Sequence, residues 1–173
     1  MESMRLREST AEDIVLMKYV GMNPVVVHGG GPEINRTLQR LGVEPKFHNG
    51  LRITDEETVK IVEMVLAGAL NKEIVTLVSR AGGNPMGICG KDGNLLHARK
   101  MVAADGVDLG FVGEITAVHF KIIGVLCDAG LIPIIAPIAT DPQGNTWNVN
   151  ADTAAGEIAA AIQAEKLVFL TDT

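Results

Sequence analysis

Val25, Val26 and Val27 run straight into His28-Gly29-Gly30-Gly31-Pro32, and a helical pattern begins at Glu33. Unpaired backbone N–H groups at a helix N-terminus attract anions, and glycines let a ligand come close to that backbone. Pro32 suits the first helical position, where its missing N–H is of no consequence. The run is expected to seat phosphate or carboxylate oxygens, the alternative being a plain tight turn between strand and helix. A second group, Trp147-Asn148-Val149-Asn150-Ala151-Asp152, precedes an alanine-rich helical pattern. In an extended segment Asn148 and Asn150 project to one side. Their amides offer donors and acceptors to a ligand bearing an amide and a carboxylate. Asn150 or Asp152 could equally cap the helix. Arg52, in a loop just before a capped helix, has the planar fork that grips a carboxylate bidentately. Lys72 and Lys91 are weaker candidates, and His28 is assigned no proton transfer.

The elements that must carry these residues alternate between strand and helix. A first helix is expected after Ser9 or Thr10, ending at Gly21, then a buried parallel-type strand over Pro24–Val27 and a helix over Pro32–Leu41 stopped by Gly42. Lys46–Ile53 reads as extended or looped. Thr54-Asp55-Glu56-Glu57 forms a capping box for a long helix to Leu70 that continues through Lys72–Arg80. Its apolar residues cover more than one face, which requires deep burial or a second protein surface. Asp92-Gly93 suggests a hairpin between Pro85–Gly90 and Asn94–Ala98. Further strands are expected over Phe111–Val118, Leu131–Ala139 and Leu167–Leu170, with helices over His119–Asp128 and from the Asn150 region to about Ala164. The pattern predicts an α/β fold, an open αβα sandwich with a mainly parallel central sheet.

Composition narrows the classes. The chain of 173 residues is 47% hydrophobic but 3% aromatic, with 19 glycines, so aliphatic side chains and close backbone approach must build one core. A net charge of -6 argues against nucleic acid or an anionic membrane as partner. Cys89 and Cys127 lie in apolar runs without metal-ligand spacing and read as buried thiols in a reducing cytoplasm. Glu2, Arg5, Arg7 and Glu8 leave no signal-peptide core, and no run can span a bilayer. His-Gly-Gly-Gly also occurs as an esterase oxyanion loop, but Ser3, Ser9 and Ser79 all lack the glycines of a nucleophile elbow. Gly90-Lys91-Asp92 lacks the hydroxyl residue of a Walker A loop.

Val25–Ile34, Asn49–Thr54 (Asn-Gly-Leu-Arg-Ile-Thr), Asn148–Asp152 and Leu170–Asp172, in that order and spacing, resemble the N-acetylglutamate kinases. Gly90–Gly93 and Gly110–Glu114 extend the likeness over essentially the whole chain. The resemblance implies transfer of a phosphoryl group from ATP, with Mg2+ and no protein-bound metal, to the side-chain carboxylate of N-acetyl-L-glutamate in arginine biosynthesis. It implies that Gly30 and Gly31 meet the substrate at the transfer centre and that Arg52 holds its α-carboxylate. Asn148 and Asn150 would address the α-carboxylate and acetamido groups. Asp152 would orient catalytic lysines, and Gly29 and Asp172 would serve the nucleotide. Homodimers or higher homo-oligomers are expected, and a PII signalling protein is a partner of some members.

The family's two lysines lie in an opening Lys-Tyr-Gly-Gly strand and beyond Leu-Thr-Asp-Val-x-Gly. Lys18-Tyr19-Val20-Gly21 falls within the first helix, and the last residues read Leu-Thr-Asp-Thr. The resemblance therefore implies that residues 1–173 are a single N-terminal, substrate-binding and dimerisation domain, without the opening strand and the nucleotide-binding domain, and with little or no kinase activity. A non-catalytic acyl-amino-acid-binding or regulatory module, and another amino-acid kinase acting on carbamate or aspartate, are the alternatives.

Overall fold

A computed structural model describes residues 2–170. Chain order is α1 (Glu2–Tyr19), β1 (Val26–Val27), α2 (Gly31–Arg40), β2 (Phe47–His48), β3 (Leu51–Arg52), α3 (Glu56–Glu63), a π-helical stretch (Met64–Leu70), α4 (Asn71–Arg80), β4 (Pro85–Cys89), β5 (Leu96–Val102), β6 (Asp108–Val118), α5 (Lys121–Asp128), β7 (Ile132–Ala136), β8 (Ile138–Thr140), β9 (Thr146–Asn148) and α6 (Ala151–Ala161).

The fold is α/β, as the alternation predicts. Its centre is a parallel sheet in the order β1-β7-β4. Period-two alternation along β7 divides its side chains between two faces. Ile132 and Ile134 pack with Ala11, Ile14 and Val15 of α1 and Val78 of α4. Ile135 packs the other way, with Ile123 and Leu126 of α5 and Ala154 and Ile158 of α6. Helices on both faces bury β7 completely, which accounts for its unbroken apolar run.

Beside this sheet stands a closed barrel, β5-β6-β9-β8, that the sequence did not announce. It overturns the expected hairpin at Asp92-Gly93: β4 joins the parallel sheet, whereas β5 pairs with β6. Asp92–Asn94 forms a 3-10 turn instead, and the Asp92 carboxylate accepts from Cys89 N–H at 2.7 Å. Pro137 divides the expected Leu131–Ala139 strand into β7 and β8, which belong to different sheets. Leu167–Leu170 is exposed and pairs with no strand among the described residues, because apolar residues make a strand only where a partner edge is available.

Other boundaries also shift. α1 starts well before Ser9; Thr10 sits inside it, its hydroxyl donating back to the Leu6 carbonyl at 2.9 Å. Lys46–Ile53 contains a β2–β3 hairpin closed by Asn49 (φ 47°) and Gly50 (φ 80°), the Asn-Gly pairing that favours two consecutive left-handed residues. The helix after it is capped by Asp55, whose carboxylate accepts from Thr58 N–H at 2.8 Å, rather than by Thr54. α6 is capped by Asn150 and ends at Ala161.

The long apolar helix is explained by a change of pitch. α3, the π-helical stretch and α4 follow one another without a break, and the wider π turn shifts the phase of everything after it. Val59, Ile61, Val62, Val65, Leu66 and Leu70 are thereby all buried, while Met64 stays exposed.

Candidate functional site

The glycine run leaves the sheet at the carboxyl end of β1. His28 N–H still donates to the Ile135 carbonyl at 3.1 Å, after which the chain turns away and Gly31 opens α2. The N–H groups of Gly29, Gly30 and Gly31 donate to no protein acceptor among the described residues. A Cβ on Gly29 would lie 3.5 Å from the Ala151 Cβ, so the N-termini of α2 and α6 stand side by side. Both helices present the positive end of their dipole there. Three unspent donors and two helix ends suit phosphate or carboxylate oxygens.

The glycines differ in what they face. A Cβ on Gly30 would come within 2.6 Å of Leu66 Cδ2 and of Leu70 Cδ2. The two leucines thus leave no room for a side chain at Gly30. A Cβ on Gly31 would meet nothing within 4 Å. Gly31 therefore borders open volume, whereas Gly30 seats the loop on the π-helical stretch.

Arg52 reaches this loop from the β2–β3 hairpin. It is 8% exposed, its Nη2 donates to the Gly31 carbonyl at 3.4 Å, and its guanidinium lies 4.7 Å from the centre of the Phe47 ring. Nη1 is buried without an acceptor. Burial pulls the Arg52 pKa down from its very high ordinary value, but the guanidinium stays charged at neutral pH. A buried cation with an unmet donor is what a carboxylate ligand would satisfy. A cleft of about 300 Å³ opens beside it, lined by Lys46, Asp55 and Thr58 among others; the glycine run does not line it.

Thr54 ties Arg52 to Asn148. It is 0% exposed, its hydroxyl donates to the Arg52 carbonyl at 2.8 Å, and it accepts from Asn148 Nδ2 at 3.3 Å. Its backbone is clamped as well, Thr54 N–H donating to the Leu109 carbonyl at 2.9 Å and Phe111 N–H to the Thr54 carbonyl at 2.6 Å. A threonine ahead of a helix reads as a cap from sequence; a cap would not be this deeply buried, and no local pattern distinguishes the two.

Asn150 lies two residues beyond Asn148, separated from it by buried Val149. Its Oδ1 accepts from Thr153 N–H at 2.9 Å, and its Nδ2 has no protein partner among the described residues. Asp152 is exposed in the first turn of α6, and no lysine or arginine among the described residues pairs with it. Lys91 is held by Glu63 at 2.7 Å. Lys72 donates to Asn71 Oδ1 at 2.9 Å and to the Gly87 carbonyl at 3.2 Å. Asp172 lies outside the described residues. Gly29, Gly31, Arg52, Asn148 and Asn150 thus belong to one neighbourhood, which offers N–H donors, carboxamides and a cation.

Under the loop lies a network that only His28 hinted at. His28 is 8% exposed, and burial, aided by nearby Lys72, pushes its pKa below the ordinary 6.5 despite a hydrogen bond to Gly29. Its ring contacts the carboxamide of Asn71, the first residue of α4, which is 0% exposed.

Residues 2–173 match the family model described as Amino acid kinase family. An acetylglutamate kinase of Thermosynechococcus vestitus is 55% identical over 173 residues, covering 100% of this chain and 58% of that protein. The chain thus spans a little over half the length of this curated relative. Among solved structures, smu.665 of Streptococcus mutans UA159 superposes with a TM-score of 0.85 at 28% identity, over 94% of this chain and 65% of that one. An N-acetylglutamate synthase of Neisseria gonorrhoeae, complexed with coenzyme A and N-acetyl-glutamate, gives a TM-score of 0.82 at 29% identity, over 95% of this chain and 38% of that one.

Proposed function

The chain belongs to the amino acid kinase family, and we propose that it supplies the acceptor side of an acetylglutamate kinase, binding N-acetyl-L-glutamate for phosphorylation of its side-chain carboxylate by ATP. The observation that carries this reading is Arg52: a buried guanidinium with an unmet donor, adjacent to Gly31, where three further N–H groups are unspent. The curated relative above is an acetylglutamate kinase, and a solved relative of similar fold was crystallised with N-acetyl-glutamate.

In this reading Arg52 takes the substrate's α-carboxylate in a forked contact, which orients the molecule along the loop. Asn148, its amide directed by Thr54, and Asn150, through its free Nδ2, complete the grip on the α-carboxylate and the acetamido group. The side-chain carboxylate then lies at Gly30 and Gly31. There one of its oxygens attacks the γ-phosphorus of ATP, the bond to the β-phosphate oxygen breaks, and ADP departs. Mg2+ would ride on the nucleotide's phosphates and draw off their charge. The chain's contribution is positioning and fixed N–H dipoles, which favour charge on the transferring group without rearranging. Gly29 and Asp172 are assigned to the nucleotide, and Asp152 to the orientation of the lysines that phosphoryl transfer requires.

Residues 1–173 act here as one acceptor-binding and dimerisation domain of a cytoplasmic protein. No helix among the described residues is long and apolar enough to cross a membrane. Titration calorimetry tests the reading. N-acetyl-L-glutamate should bind, L-glutamate at least about tenfold more weakly for want of the acetyl group, and Arg52→Ala should weaken binding about tenfold to a hundredfold, since a hydrogen bond to a charged group contributes about 1.5–3 kcal/mol. Equal affinity for the two amino acids, or none for either, would refute it.

A further inference from the structure

Asn71 is a fully buried amide whose orientation the surroundings fix. Its Nδ2 stands 3.0 Å from the Ile134 carbonyl and 3.4 Å from the Ile88 carbonyl, both acceptors, so that atom must be the nitrogen. Its Oδ1 accepts from Lys72 Nζ at 2.9 Å, which agrees. The same Nδ2 lies 3.1 Å from His28 Nε2. A donor facing that ring nitrogen requires it to be an unprotonated acceptor. On the far side of the ring, Nδ1 lies 2.9 Å from the Gly29 carbonyl and must therefore carry the proton. Two independent contacts select one tautomer.

The tautomer matters because of what it holds. A trans peptide directs its C=O and its N–H in opposite directions, and every described peptide here is trans. With the Gly29 carbonyl turned inward to His28 Nδ1–H, the N–H of Gly30 in the same peptide is turned away from the ring. Gly30 N–H is one of the three donors without a protein acceptor. The π-helical stretch contributes twice: its leucines press on Gly30, and its extra residue sets the phase that carries Asn71 under the sheet ends.

We infer that Asn71 is a positioning residue of the glycine loop: by donating to His28 Nε2 it holds the ring as the Nδ1–H tautomer, and the ring's bond to the Gly29 carbonyl aims the Gly30 N–H at the bound anion. Asn71 touches no ligand itself. The inference rests on the substrate reading above for the identity of the anion, but not for the linkage between amide, ring and peptide.

The test is 15N NMR of the histidine side chains and of the glycine amides in the full chain. In the unaltered protein His28 should show the Nδ1–H form; a His28 found as Nε2–H overturns the inference without any variant. Asn71→Asp is nearly isosteric, and its carboxylate accepts where the amide donated. It should draw the ring proton to Nε2, shift the Gly30 amide resonance and weaken N-acetyl-L-glutamate binding about tenfold or more. A folded Asn71→Asp chain that keeps the Nδ1–H ring, the Gly30 resonance and the affinity also overturns it. If the unaltered chain shows the expected tautomer but binds no N-acetyl-L-glutamate, the substrate reading falls. The linkage is then decided by whether Asn71→Asp moves the Gly30 resonance.

Discussion

The side chain that Gly30 lacks would have to occupy the place of Leu70, whose Cδ2 lies 2.6 Å from where its Cβ would stand. Close packing of the loop on the helix beneath it, and not only access for a ligand, explains the middle glycine.

Two substitutions should separate those roles. Gly30→Ala should destabilise the chain by about 1–3 kcal/mol through overpacking against Leu66 and Leu70. Gly31→Ala, at the open first position of α2, should leave the urea midpoint unchanged or slightly raised, since alanine favours a helix by up to about 1 kcal/mol. It should nevertheless weaken ligand binding by filling the approach. Urea denaturation and calorimetry on the two variants read both quantities.

Thr54→Val keeps the shape and removes the hydroxyl that serves both the Arg52 carbonyl and Asn148. We expect a loss of about 1–3 kcal/mol, the penalty of leaving buried polar groups unmet, together with weaker N-acetyl-L-glutamate binding. Thr54→Ser should recover the binding, because it restores the hydroxyl. A valine variant with unchanged affinity would show that Asn148 needs no guide.

Asn150 has two jobs that mutation can part. Asn150→Ala removes the α6 cap and should cost about 0.5–2 kcal/mol in denaturant unfolding as well as affinity. Asn150→Ser keeps a capping oxygen and loses the free amide donor. It should therefore hold its stability while binding falls.

Acidification should act through His28. Its folded pKa is lowered from 6.5, chiefly by burial and further by the Lys72 charge, so folding favours the neutral ring. The unfolded chain binds the extra proton first. The stabilisation is therefore complete above about pH 6.5 and declines as pH falls from there toward the lower folded value. Thermal melts at pH 8, 7, 6 and 5.5 should show the midpoint flat and then falling. Replacement by Asn should flatten the part of that slope due to the ring.

The strand, loop and helix start of the expected anion seat were legible because their signals are local: three glycines, a proline at the helix start and a valine run all lie within one short segment. Arg52, Asn148 and Asn150 were singled out through motif resemblance, and the structure links Arg52 to Gly31 and, through Thr54, to Asn148. Thr54 was not legible, since its importance comes from Arg52, Asn148 and Leu109, none of which its own neighbours reveal. Asn71 was hidden for a related reason: an ordinary helical period puts the wrong face of α4 toward the sheet. The false hairpin at Asp92-Gly93 had a real turn in it, but whether its two flanks pair is decided by β7 and β6, far along the chain. Leu167–Leu170 shows the same limit, with strand-like residues and no partner among the described residues.

The π-helical stretch also makes the chain unusually sensitive to length at one place. The stretch already holds one residue more than the common pitch would, and inserting another between Met64 and Leu70 would rotate α4 by about 100° against α3, one residue's turn. Asn71 would swing off the strand ends, and the leucines would let go of Gly30. An insertion that an exposed loop would absorb unnoticed would here disconnect the floor of the site from its ceiling. Drift among related chains should therefore accept changed letters in this stretch far more readily than an added residue.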